Sequence, residues 1–130
     1  MIIVFDLDDT LYEEITYVYS GFRAVAKFLY TTYGICEQDS YKFMVNQLQH
    51  GRGRIFDDVL ENFKAFSKKA VSRCISIYRT HIPVIKLYED AIQCLQRLQD
   101  VPVYIVTDGN KLVQQKKLVA LGLYSGVRFC

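Results

Sequence analysis

Asp6 and Asp8 stand two residues apart, directly behind the apolar run Ile2-Ile3-Val4-Phe5. Two carboxylates at that spacing can divide the labour of a group transfer. One attacks an electrophile, while the other protonates the leaving oxygen and later deprotonates a water. The same acids offer the oxygen ligands that suit Mg²⁺, a hard cation that would offset the charge of a phosphoryl group. A second polar cluster, Thr107-Asp108-Gly109-Asn110, follows another apolar run, Val103-Tyr104-Ile105-Val106. It supplies a hydroxyl and then turn-forming residues whose backbone N–H groups can face an anion at a helix start, with Asn110 placed to cap that helix. Asp9 reads as a turn or capping residue and Thr10 as a support of the loop, both outside the chemistry.

These clusters need elements to hold them. The first run is short, rich in β-branched residues and closed at once by acids, which predicts a strand buried on both faces of a parallel sheet; the second predicts another strand closed by polar residues, with the site outside the carboxyl ends. Between the two runs the apolar period is helical. Val18, Phe22, Val25 and Leu29 line one helix, stopped near Gly34. Tyr41, Met44, Val45 and Leu48 line a second, with Ser40 as its cap and the Gly51-Arg52-Gly53-Arg54 break as its end. Ile55, Phe56, Val59, Leu60 and Phe63 mark a third, and Val71, Cys74, Ile75 and Tyr78 a fourth that finishes by His81-Ile82-Pro83. Leu87, Ala91, Ile92, Leu95 and Leu98 predict a helix into the second strand. Another helix runs from about Lys111 to Leu121, and Val127 to Phe129 begin a third strand. The division expected is an α/β core over 1–13 and 85–130, with a helical insert over 14–84.

The 130 residues allow one domain or a small core with an inserted subdomain, and a 51% hydrophobic composition with 23% charged residues is that of an ordinary folded protein. Sixteen Lys+Arg against 14 Asp+Glu leave a dispersed +2, which argues against nucleic-acid and anionic-membrane partners. The apolar run Met1 to Phe5 is cut off by Asp6, Asp8 and Asp9, so it forms neither a signal-peptide core nor a membrane span, and a cytoplasmic location is expected. Cys36, Cys74, Cys94 and Cys130 show no CxxC spacing and read as buried free thiols.

With Asp-x-Asp-x-Thr after the first strand (Asp6, Asp8, Thr10) and a second strand ending in Thr107, the sequence resembles the haloacid dehalogenase-like (HAD) superfamily. The helical insert looks like that family's type 1 cap, so the resemblance covers the whole chain. It implies a Rossmann-like parallel sheet core and a Mg²⁺-dependent phosphatase. Asp6 would be the nucleophile that forms an aspartyl-phosphate and a Mg²⁺ ligand. Asp8 would be the general acid/base and a metal ligand through its backbone carbonyl, and Thr107 with the backbone at Asp108 and Gly109 would hold the phosphate. The second acid, Asp8, resembles the phosphatase branch; the haloacid dehalogenases themselves lack it. The family's third-motif Lys and fourth-motif acids follow the strand that begins here near Val127, and the sequence ends before either. The core is therefore expected to be incomplete at its C-terminus, with an unpaired edge on the first strand that favours self-association. Lys111, Lys116 and Lys117 precede that strand and read as solvated helix residues.

The expected substrate is a small phosphorylated metabolite. Arg23, Arg52 and Arg54 are candidate substrate contacts from the cap, the last two also reading as a solvated inter-helix turn. His50 and His81 read as helix-end residues. A catalytically incompetent truncated fragment that only binds or assembles is the competing expectation. A receiver-like phosphoacceptor domain is a remote one, because the middle of the chain is helical.

Overall fold

The computed structural model describes residues 1–123. The third strand expected at Val127 to Phe129, and Cys130, lie outside the described residues. In chain order the elements are β1 (Ile3–Phe5), α1 (Glu14–Tyr33), α2 (Glu37–Gln47), α3 (Ile55–Asn62), α4 (Lys68–Thr80), α5 (Glu89–Arg97), β2 (Val103–Ile105) and α6 (Lys111–Ala120), with a 3₁₀ turn at Leu48–His50. The result is a mostly helical α/β protein with a small parallel sheet. The alternating strand–helix order of a receiver domain is absent from the described residues: four helices follow one another between β1 and α5.

The chain divides into two compact units. One comprises Met1–Tyr17 and the chain from Ile82 onward; the other is Val18–His81.

In the first unit β1 and β2 pair in parallel, Ile3 opposite Val103 and Phe5 opposite Ile105. The amide of Val106 donates to the Phe5 carbonyl at 2.9 Å, so the ladder runs to the carboxyl ends of both strands. That register sets Asp6 and Thr107 just beyond adjacent strand ends. The expectation that β1 is buried on both faces is corrected here, and β2 is open in the same way. Val4 is 56% and Tyr104 54% exposed, and Ile2 and Val106 on the same face are exposed as well. Side chains alternate across a strand, and only the face bearing Ile3, Phe5, Val103 and Ile105 is partly covered. Among the described residues β1 pairs with no strand other than β2. Leu7, Leu11, Tyr12, Tyr17, Ala91, Leu118 and Leu121 form this unit's buried core. Residues 11–12 are stitched to residues 87–88 by an antiparallel bridge between Tyr12 and Leu87 and by the Tyr88 amide on the Leu11 carbonyl.

The second unit is a helical bundle. Val18, Phe22, Val25, Ala26 and Leu29 recur at helical spacing along α1 and are buried, as are Met44, Ile55, Val59, Leu60, Ala70 and Cys74 on the later helices. Helix α3 packs between α2 and α4, and Phe22, Phe56 and Tyr78 join α1, α3 and α4 through ring contacts of 5.7 to 6.3 Å. Gly21 permits this: a Cβ there would overlap the Tyr78 ring. Ser67 caps α4, its hydroxyl accepting from the Ala70 amide at 3.0 Å. Ser40, expected as a cap, instead lies buried inside α2 and donates to the Glu37 carbonyl. The helix starts four residues earlier because Glu37 and Asp39 favour the first turn. Of the thiols, Cys74 is buried as expected, Cys94 is half-buried, and Cys36 is exposed in the turn ahead of α2. No helix among the described residues is long and apolar enough to cross a membrane.

Candidate active site

The loop after β1 turns back on itself within a few residues. The amides of Thr10 and Leu11 both donate to the Leu7 carbonyl, while Leu7, Leu11 and Tyr12 are buried beneath. Burying Leu7, Leu11 and Tyr12 in this tight turn leaves Asp6 and Asp9 on the outside. Asp6 is exposed at the end of β1, and one of its carboxylate oxygens accepts from the Leu7 amide at 2.9 Å. Asp9 adopts a left-handed backbone, φ 59°, and its carboxylate accepts from the Glu14 amide at 2.9 Å. This is the capping role expected of it, at the start of α1.

Asp8 points inward, and its carboxylate is met by three donors. The Tyr12 hydroxyl donates to Oδ1 at 2.5 Å, the Lys117 ammonium to the same oxygen at 2.9 Å, and the Gln114 amide to Oδ2 at 3.0 Å. Burial pushes the Asp8 carboxyl up, but these hydrogen bonds and the Lys117 charge outweigh it and hold the group below the usual carboxylate range. Tyr12 is driven the other way by burial, by its bond to Asp8 and by that carboxylate's charge, so its phenol stays protonated. Burial, with the charge of Asp8, pushes Tyr17 up to about 12.

Lys117 corrects the expectation that the three lysines near the end of the chain are solvated. Its side chain is 7% exposed, paired with Asp8, and its ammonium lies 4.4 Å from the Tyr17 ring centroid. Lys111 is exposed and Lys116 half-buried. Gln114, Lys117, Leu118 and Leu121 are all buried and share the i, i+3, i+4, i+7 spacing of one helix face. A glutamine and a lysine on the inward stripe of α6 were the signal available in the sequence. Tyr12, four residues after Asp8, carried no comparable mark.

The second cluster meets the first through α6. Gln114 donates to the Thr107 hydroxyl at 2.7 Å and to the Asp108 carbonyl at 2.9 Å. Asn110 caps α6 as expected, accepting from the Val113 amide at 3.2 Å. Gly109 has φ +112°, a conformation that side chains avoid, and the loop needs it to turn over Gln114. The structure therefore brings Asp8 and Thr107 onto one shared residue, with Asp6 at the neighbouring strand end. Asp108 and Gly109 are exposed in the loop between β2 and α6.

The candidate cap arginines belong to the second unit. Arg23 lies on α1 with its guanidinium 5.2 Å from the Tyr41 ring centroid. Arg52, in the bend before α3, lines a cavity of about 220 Å³ with Phe22, Phe56 and Tyr78. Arg54 faces Asp57 and Glu61 at 3.8 and 3.9 Å. His50 closes the 3₁₀ turn and His81 follows α4, as expected. His81 also shares a 3.1 Å hydrogen bond with the hydroxyl of Ser20. A larger cavity, about 430 Å³, opens on the other face of α6 between Ile82, Pro83, Leu112 and Val119. Its lining is mainly apolar, with Gln115 and Lys116 among it, and it gathers no acids.

Among the described residues no cluster of three or more His, Cys, Asp or Glu is poised to hold a metal. The oxygens available at the β1 end, the Asp6 carboxylate and the Asp8 backbone carbonyl, are nevertheless hard donors of the kind Mg²⁺ accepts. That ion commonly takes only one or two carboxylates and completes its shell with water.

No curated protein matches the sequence. Among solved structures, the HAD hydrolase YfnB of Bacillus subtilis, solved bound to magnesium, superimposes with a TM-score of 0.54 at 17% identity, over 95% of this chain and 59% of that one. A haloacid dehalogenase-like family hydrolase from Xanthomonas campestris gives 0.49 at 19% identity, over 97% and 59%. The L-2-haloacid dehalogenase of Xanthobacter autotrophicus gives 0.46 at 16% identity, over 97% and 54%. The chain thus spans less than two thirds of the length of these relatives. The similarity to YfnB shows a shared fold. The sequence profile of the haloacid dehalogenase-like hydrolases matches residues 1–129, and the chain belongs to that family.

Proposed function

We propose that the chain carries the phosphatase chemistry of its family: Mg²⁺-assisted hydrolysis of a phosphomonoester through an aspartyl-phosphate on Asp6. The observation that carries this reading is the link from Asp8 through Gln114 to Thr107, which sets a second acid and a hydroxyl beside the strand end that bears Asp6.

An Asp6 carboxylate oxygen forms a bond to phosphorus as the ester oxygen leaves with its electron pair, and Asp8 supplies that oxygen with a proton. Asp8 rests as a carboxylate; the anionic phosphate arriving beside it raises its proton affinity, so that it takes a proton from solvent and passes it to the leaving oxygen. In the second step a water gives a proton to Asp8 and attacks phosphorus. The bond to Asp6 breaks, inorganic phosphate leaves, and both acids are restored. Thr107 and the backbone amides at Asp108 and Gly109 hold the phosphate oxygens beside the start of α6. Asp6 and the Asp8 carbonyl would hold Mg²⁺, which when bound offsets phosphate charge.

Asp8 favours phosphoryl transfer over dehalogenation, since halide departs without a proton. A small cytoplasmic phosphorylated metabolite suits a chain with a net charge of only +2. Hydrolysis of p-nitrophenyl phosphate with millimolar Mg²⁺, compared with Asp6→Asn, tests the reading. Turnover by the wild type alone is expected, and equal rates in the two proteins would overturn it.

A further inference from the structure

We infer that Gln114 is the positioning residue that joins the two catalytic loops and fixes the direction in which the Thr107 hydroxyl donates. The inference deepens the phosphatase reading above and rests on it for the identity of the anion.

The Gln114 side chain is buried, and its amide nitrogen lies within hydrogen-bond distance of three oxygens from two separate loops. These are Asp8 Oδ2 at 3.0 Å, Thr107 Oγ1 at 2.7 Å and the Asp108 carbonyl at 2.9 Å. A carboxylate and a carbonyl can only accept, so the nitrogen, not the oxygen, of the amide must face this cluster. An amide nitrogen has no lone pair to offer, and the Thr107 oxygen therefore accepts. Its own hydrogen is left to point elsewhere. The nearest acceptor within the loop, the Asp108 carbonyl, is 3.4 Å away, a long and weak contact. A phosphate oxygen would be the stronger acceptor, and the hydroxyl is pre-set to meet it.

The same nitrogen holds Asp8 from the side opposite to Tyr12 and Lys117, which both use Oδ1. One side chain thereby registers the proton-transfer acid against the phosphate-binding hydroxyl. Gly109 lets the second loop turn beside it through a backbone φ of +112°, which side chains avoid.

Two near-isosteric variants separate positioning from packing. Gln114→Met keeps the length and loses the donor. Gln114→Glu replaces it with a carboxylate that must accept, so it turns the Thr107 hydrogen inward and away from phosphate. Binding of inorganic phosphate with Mg²⁺ present, followed by calorimetry, should weaken about tenfold in Gln114→Met, the loss of one oriented hydrogen bond, and further in Gln114→Glu. On a Thr107→Val background Gln114→Met should cost little more. Wild-type phosphate affinity in both folded variants would overturn the inference.

Hydrogen exchange separates this result from a failure of the phosphatase reading. If the wild type binds no phosphate, that reading fails. The tie itself still predicts that Gln114→Met speeds amide exchange over residues 7–11 and 106–110 together. Faster exchange in only one loop, or in neither, would refute the tie.

Discussion

Replacing Lys117 by methionine removes the charge beside Asp8 and keeps most of the apolar stem. Two limits frame the cost: an exposed ion pair contributes about 0–1 kcal/mol, and breaking a fully buried pair costs about 3–5 kcal/mol. Here the lysine is 7% exposed and the aspartate 29%. Asp8 also keeps its donors from Tyr12 and Gln114. The loss should therefore fall between the limits, at about 2 kcal/mol including the contact with the Tyr17 ring. For a chain of this size that lowers Tm by roughly 6–10 °C. The pH dependence has a definite sign. Burial alone would raise the Asp8 carboxyl, but its hydrogen bonds and the lysine charge depress it in the folded state. A depressed carboxyl stabilises the fold above its unfolded pKa, and that contribution fades as pH falls through the folded value. The wild type's advantage over Lys117→Met should be full near neutrality and shrink as pH drops below about 4. The chain has no tryptophan, so urea unfolding followed by far-ultraviolet circular dichroism is the suitable assay. A variant as stable as wild type at neutral pH, or a difference that stays constant into acid, would refute the reasoning.

Three further outcomes follow from the local geometry. Gly109→Ala forces a side chain into φ +112° over Gln114 and should cost about 1–3 kcal/mol in urea unfolding. Ser67→Ala removes the cap of α4 and should destabilise by about 1 kcal/mol by the same measure. Burial raises the Cys74 thiol to about 11, so native-state alkylation followed by mass spectrometry should modify exposed Cys36 first and leave Cys74 intact until the chain unfolds.

Much of the scaffold was legible because it rests on period. The stripe from Val18 to Leu29 became the buried face of α1, and the ends of both strands carried the acids and the hydroxyl where a parallel sheet exposes them. The contents of the site were less legible. Asp8 was singled out for its spacing to Asp6, yet its state is set by Tyr12 close by and by Lys117 and Gln114, more than a hundred residues on. Polar residues on an inward helix face look like solvated ones until the face they share with Leu118 and Leu121 is counted. Sheet burial misled for a related reason. β-branched runs signal strands, but whether Val4 and Tyr104 are covered depends on which elements lie over them, and both are more than half exposed. Ser40 shows the same limit at a helix end, where acids at Glu37 and Asp39 extended α2 past the expected cap.

The central claim is that Asp6 is a nucleophile. Acid-quenching the protein during turnover of a phosphomonoester with Mg²⁺, then mapping the phosphoryl group by mass spectrometry, tests it most directly. The account predicts an acyl-phosphate on Asp6 and none on Asp8 or Asp9, lost in Asp6→Asn. Turnover with no adduct in the quenched protein, or an adduct on another residue, would contradict it.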